Sequence, residues 1–178
     1  YSELYTQAVR LFKNKKPVIA AVQGGAIGGG LGLSLVADFR IGCPESRFSA
    51  NFSRLGFHQG FGTTVTLPRV VGPQNAAMMM LTGRRLKGQE SFDIGLIDYL
   101  VPLNEVRSKA IELAEEISEA GPLAVQSIRA TIRAGLAEQV EEIVAWELSE
   151  QVRLQSTKDF KEGIKASLER RKPKFEGS

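Results

Sequence analysis

Six glycines occupy twelve positions in "GGAIGGGLGLSL", residues 24–35, directly after the apolar run "KPVIAAVQ". So bare a backbone exposes its N–H groups, and such groups at the start of a helix can hold an anion. Phosphate-binding spacing is absent. No Gly-Lys-Ser/Thr follows, and no register gives Gly-x-Gly-x-x-Gly. The donors then serve some other negative charge, or the glycines serve close packing of helix on strand. His58, the single histidine, has the natural acid/base chemistry near neutral pH, with Gln59 beside it. Its alternative role is a ring hydrogen-bonded to its own loop. Asp38, at the end of the segment after the glycines, reads as a partner for backbone.

One Cys and one His cannot assemble a zinc site, so no metal is expected. Cys43 alone permits no intrachain disulfide and fits a reducing, cytoplasmic setting. Lys158, Lys161, Lys165, Arg170, Arg171, Lys172 and Lys174 face only three acids between residues 158 and 174. That stretch is either a solvated helix face or an anion site. No aromatic platform or helix-turn-helix pattern goes with it, so no nucleic-acid partner is expected. No apolar run reaches the roughly 20 residues of a membrane span, so no membrane partner is expected either. The chain opens at Tyr1 inside a helical pattern, which reads as the later part of a longer polypeptide.

The elements around these residues follow from periodicity. Leu4, Ala8, Leu11 and Phe12 repeat at helical spacing, and Pro17 stops that helix. "PVIAAVQ" is a buried strand, apolar on both faces as parallel strands are. The glycines make the turn, and "GLGLSLVADF" is a tightly packed helix. "FRIGC" and "RFSA" are short strands around the turn "PES". "TTVTLPRVVG" and "PQNAAMMMLTG" are two helices separated at Gly72 and Pro73, with Met78–Met80 as core filling. "KGQESFDIG" is a short helix and "LIDYLVP" a strand. Asn104 is expected to cap a helix over 105–120 with Ile111, Ala114 and Ile117 inward. After residue 121 the pattern is helical throughout. Val140, Ile143, Val144, Trp146 and Leu148 give it more apolar surface than one small core can cover.

"KPVIAAVQGGAIGGGLGLSLVADFRIG", "RFSANFSRLGFHQGFGTTVTLPRVVG" and "LTGRRLKGQESFDIGLIDYLVP" resemble the crotonase (enoyl-CoA hydratase/isomerase) superfamily along essentially the whole chain. The resemblance implies an α/β fold, a spiral of ββα units with two nearly perpendicular sheets. Residues 1–120 would be the later part of that core, lacking its N-terminal portion. Residues 121–178 would be C-terminal trimerisation helices. It also implies acyl-CoA substrates, with coenzyme A part of the substrate and no separate cofactor. Fatty-acid metabolism and self-association as a trimer or hexamer are implied as well.

In the family, two backbone N–H groups hold the thioester carbonyl oxygen as it becomes an enolate. One lies in the triple glycine, at Gly29 here beside Gly28; the other comes from upstream of this sequence. Glycine lets backbone approach a ligand closely and aims a fixed donor at developing charge. The acyl pocket would be lined around Phe52, Leu55, His58 and Gly60. Arg170, in "ERRKPKF", matches the basic residue that reaches CoA. The catalytic pattern departs from the family at three places. The two hydratase glutamates fall at Gly32 and Phe52, and the isomerase acid falls at Gly60. A site that stabilises an enolate still needs a proton carrier. His58 is then the candidate acid/base in an atypical lyase or isomerase. The alternative is a non-catalytic CoA-thioester-binding or scaffolding protein of the same fold.

Overall fold

The computed structural model describes residues 2–178. Tyr1 and the side chains of residues 2–4 and 6, the expected core residue Leu4 among them, lie outside the described residues. Helix α1 (Ser2–Phe12) is followed by β1 (Ile19–Val22), β2 (Gly25–Ile27) and α2 (Gly29–Ser34). A second ββα turn repeats the order: β3 (Phe39–Gly42), β4 (Arg47–Ser49), a 3₁₀ turn over Asn51–Leu55, then α3 (Thr63–Thr82). The third turn is β5 (Leu86–Lys87), α4 (Gly88–Asp93) and β6 (Tyr99–Leu100). Each turn of chain adds one strand to each of two sheets. β1, β3 and β6 pair in parallel, with Ile19 opposite Phe39 and Ile41 opposite Tyr99. β4 sits between β2, which it meets in parallel, and antiparallel β5. The α/β class expected from the sequence is the one found. The glycine segment, expected to be turn alone, also supplies β2, because Gly25–Ile27 can reach the open edge of β4.

The main core gathers Leu31 of α2 and Leu35 just after it, Phe48 of β4, Phe52, Leu67, Met79 and Ile97. Of the methionine run Met79 is buried, whereas Met78 is exposed. The two helices expected on either side of Gly72 and Pro73 are found, joined at a kink within Thr63–Thr82 where Gly72 leaves helical geometry at φ 77° and ψ 161°. A second core holds α1 against α7 (Leu136–Gln155). Here Tyr5, Ala8, Val9 and Phe12 meet Val36, Phe61, Leu136, Val140 and Val144. Ala8 and Phe12 are buried as expected, whereas Leu11 is exposed and Tyr5 and Val9 complete the stripe.

After β6 come α5 (Val106–Ser118), α6 (Pro122–Ile132), α7 and α8 (Lys158–Leu168). Two expectations about α5 are corrected. A 3₁₀ turn over Leu103–Glu105 precedes the helix, so Glu105 rather than Asn104 stands at its start, without a side-chain cap. Its inward residues are Val106 and Leu113, with Ala110 and Ile117 against them. Ile111 is exposed in a groove between α5 and α6 instead. The apolar residues of α7 also divide differently from expectation. Val140 and Val144 are used within the chain. Trp146 and Val152 of α7 and Leu123, Ile128 and Ile132 of α6 remain exposed.

One buried carboxylate joins this helical part to the core. Glu147 of α7 has no exposed surface. It accepts hydrogen bonds from Gly62 N–H at 2.8 Å, Thr64 N–H at 3.1 Å and Thr64 Oγ1 at 2.6 Å. These satisfy donors at the start of α3 that have no partner inside that helix. One turn on, Gln151 Nε2 donates to His58 O at 3.0 Å. Replacing Glu147 by Ala should cost about 1.5–3 kcal/mol, since buried donors lose a charged acceptor. Urea unfolding checks this, and a loss too small to resolve would mean that water replaces the carboxylate there.

Candidate functional site

The turn into α2 is set by Gly28, whose φ of 57° and ψ of −116° suit glycine rather than a residue with a Cβ. Gly28 N–H donates to Ser49 O at 2.9 Å and Gly28 O accepts from Gly32 N–H at 3.1 Å, pinning the turn between β4 and the helix. A Cβ on Gly28 would lie 3.2 Å from Asn51 Oδ1 and 3.6 Å from the Phe52 ring. Gly29 opens the helix and is half-buried, and a residue at that position has no intrahelical acceptor for its N–H. The glycines therefore present backbone beside the Asn51–Leu55 turn, where Phe52 is buried and Leu55 half-buried.

The three positions without an acid are packed shut or apolar. At Gly32, an added Cβ would stand 2.5 Å from Phe61 Cβ and 2.7 Å from its Cγ. Gly60 is filled likewise: a Cβ would meet Gln151 Nε2 at 2.6 Å and Tyr5 Cδ2 at 3.1 Å. Tyr5 and Phe61 pack edge to face, ring centres 5.7 Å apart at 71°. Phe61 holds this place at φ 64°, a conformation that costs a bulky L-residue free energy. Phe52 continues into a second aromatic series, 6.5 Å from Phe57, which lies 5.0 Å from Phe160 of α8.

α8 crosses the 3₁₀ turn at close range. A Cβ on Gly163 would stand 2.5 Å from Leu55 O. His58 is half-buried, with Nδ1 2.9 Å from Gln59 O. The structure brings Gly28, Gly29 and Phe52 together. His58 is engaged with its own loop and with the α7 side of the molecule. Arg170 is exposed at φ 54°, and no side-chain bond is recorded for it among the described residues. Its neighbour Arg171 is locked to Glu162 at 2.6 and 2.9 Å and to Glu169 at 2.6 Å. That guanidinium, helped by the Lys174 N–H, holds the Glu162 carboxyl down to about 2.

Asp38 accepts from Val18 N–H at 2.8 Å, and it pairs with Arg129 at 2.8 Å and Arg133 at 3.0 Å. Buried Arg40, lowered by desolvation against the pull of Asp98 and Asp38, donates to Leu96 O at 2.7 Å and Ala37 O at 2.9 Å. These groups border a cavity of about 640 Å³ under α6, whose lining includes none of Gly29, Phe52 or His58. No group of three or more His, Cys, Asp or Glu suited to a metal occurs among the described residues. None of their helices is long and apolar enough to cross a membrane.

The sequence reading passed over Tyr5, Phe61 and Glu147. Tyr5 stands at helical spacing with Ala8 and Phe12, so the stripe could have included it. Nothing in the sequence pairs Phe61 with Gly32 or Glu147 with Gly62.

The profile of the enoyl-CoA hydratase/isomerase family matches residues 1–178. Crotonyl-CoA hydratase of Syntrophomonas wolfei is 37% identical over 161 residues, 90% of this chain and 62% of that protein. Short-chain-enoyl-CoA hydratase of Clostridium acetobutylicum is 35% identical over 163 residues, 92% of this chain and 62% of that protein. The crystal structure of an enoyl-CoA hydratase from Mycobacterium avium subsp. paratuberculosis superposes with a TM-score of 0.89 at 25% identity. It covers 97% of this chain and 70% of that one. The chain spans about 62% of the length of these two curated relatives.

The interlock of Gly32 with Phe61 predicts strong coupling. Gly32→Ala should destabilise by about 1–3 kcal/mol through overpacking. In a Phe61→Gly background, which removes the atoms a Cβ would strike and suits φ 64°, the same change should become neutral or stabilising. Equal costs in both backgrounds, read from thermal or urea unfolding, would mean that the helix moves away from the loop without strain.

Proposed function

This chain belongs to the enoyl-CoA hydratase/isomerase family, and from that premise we propose that it processes acyl-CoA thioesters through an enolate held at Gly29, without a glutamate pair. The thioester carbonyl oxygen accepts from the Gly29 N–H, and the acyl chain lies against Phe52 and Leu55 near His58 and Gly60. Arg170 supplies a charge for the CoA phosphates. The reaction class is that of a lyase or isomerase acting at the α and β carbons. The observation that carries the reading is the Gly28–Gly29 turn set against Phe52. Its donor is backbone, so losing side-chain carboxylates leaves it in place. The aromatic fill at Gly32 and Gly60 supports the second half of the reading, since a carboxylate has no room at either position. Self-association as a trimer or hexamer is part of the same reading, with α6 and Trp146 as the uncovered surface; light scattering reads its mass directly.

The expected behaviour is retained affinity with slow hydration. Crotonyl-CoA hydration should fall about 10²–10⁴-fold for each missing acid/base group, relative to a glutamate-bearing relative. In calorimetry, butyryl-CoA should bind about ten-fold or more tightly than butyryl-pantetheine, and Arg170→Ala should shrink that gap. Equal affinities would remove Arg170 from the site. Fast hydration would overturn the reading that the chain lacks the acid/base groups for that reaction. Binding with no turnover of any acyl-CoA would favour the non-catalytic reading.

A further inference from the structure

We propose that the cavity under α6 binds a free medium-chain aliphatic carboxylate, with its head group at Arg69 and its chain against the apolar wall; this goes beyond the acyl-CoA reading and does not rest on it. The cavity measures about 640 Å³, a size at which small organic ligands are held. Leu35, Val70, Ile117, Val125 and Leu136 line it, drawn from the residue after α2, from α3, α5 and α6, and from the start of α7. Such a wall takes up a hydrocarbon chain with a gain in affinity of about two- to four-fold per buried methylene.

The charged groups of the same lining do not balance. Arg40, Arg69, Arg129 and Arg133 stand against Asp38 and Asp98, an excess of positive charge. Asp38 already serves Arg129, Arg133 and the Val18 N–H. Even so, Arg129 Nη2 and Arg133 Nε are buried with no hydrogen-bond partner among the described residues. Buried donors in that state are rare, and a cleft lined by one sign of charge attracts the other. Burial lowers the Arg133 guanidinium against the pull of Asp38, and the like charges of Arg129 and Arg69 add to the effect. The two buried N–H groups lie behind the surface and supply field rather than contact. Contact falls to Arg69, which is exposed and donates Nη2 to Ile132 O at 2.6 Å, the last residue of α6. No bond of its other N–H groups is recorded among the described residues, and a guanidinium can hold a carboxylate with two parallel hydrogen bonds. An inorganic anion would use only the charge and a neutral chain only the wall. A carboxylate on an aliphatic chain uses both.

The test is calorimetry with hexanoate, octanoate and decanoate, and with 1-octanol as the uncharged probe. The wild type should bind octanoate saturably, one per chain, with affinity rising about two- to four-fold per methylene along the series. Arg69→Gln, a change at an exposed position, should weaken octanoate about ten-fold or more and leave 1-octanol unchanged. Arg69→Lys, which keeps the charge, should recover part of the loss. Saturating butyryl-CoA should leave octanoate binding as it was, since the cavity lining includes neither Gly28, Gly29 nor Phe52. Octanoate that does not bind, or that binds equally to wild type and Arg69→Gln, would overturn the proposal. Equal losses for octanoate and 1-octanol would overturn the role of charge and the proposal with it. Displacement by butyryl-CoA would assign the signal to the acyl site instead. Affinity that falls as the protein self-associates would give the cavity to a second copy of the chain, and either result overturns the inference.

Discussion

The candidate site depends on one buried carboxylate. Glu147 lies inside α7 with no exposed surface and takes the backbone donors of Gly62 and Thr64. An ionisable group so placed is tolerable only when hydrogen bonds replace the water it gave up. By fixing the start of α3, it also fixes the loop before it, and that loop carries Gly60 and Phe61. Phe61 needs such a restraint, since φ 64° is costly for its side chain. The chain of dependence runs from α7, through the loop, to the ring that fills the space beside Gly32. The helical tail is therefore part of how the site is shaped.

This arrangement gives a physical reading of the missing acids. Removing a glutamate from a packed site leaves a void, and voids cost free energy because their lining loses contacts. Here glycine stands at positions 32 and 60, and Phe61 and Tyr5 take up the space. The space beside positions 32 and 60 is tightly filled, by Phe61 at the first and by Tyr5 and Gln151 at the second. The aromatic series from Phe52 through Phe57 to Phe160 ties the 3₁₀ turn to α8 in the same way. Ring packing also explains why restoring carboxylates would be disruptive: a Cβ at position 32 already strikes Phe61 before any carboxyl is added.

Much of the fold was legible because its signals are local. The apolar run before the glycines, the breaks at Pro17 and Gly72 and the helical periodicity after residue 121 each act within a few residues. The glycine turn itself was legible as exposed backbone, and the structure sets Gly28 of that turn against Phe52. What was not legible is long-range. Glu147 is 85 residues from Gly62, and a mid-helix glutamate looks like any solvated one. Tyr5 reads as one more apolar position of an amphipathic helix until its ring is placed against Gly60 and Phe61. Of the expected α1 stripe Ala8 and Phe12 are buried, but Val9 is buried in place of Leu11, because the two are equally apolar and only the partner helix decides between them. Asn104 looked like a cap because its type suits one, but the preceding 3₁₀ turn shifts the helix start past it.

The central claim is that Gly29 donates to a thioester carbonyl although glycine or phenylalanine stands at the neighbouring acid positions. Carbon NMR of butyryl-CoA labelled with ¹³C at the carbonyl tests this at the atom concerned, with no turnover required. Polarisation by a backbone donor withdraws electron density from the carbonyl carbon, so its resonance should move downfield on saturable binding to the protein. A bound ligand whose carbonyl resonance stays at its position in water would contradict the account.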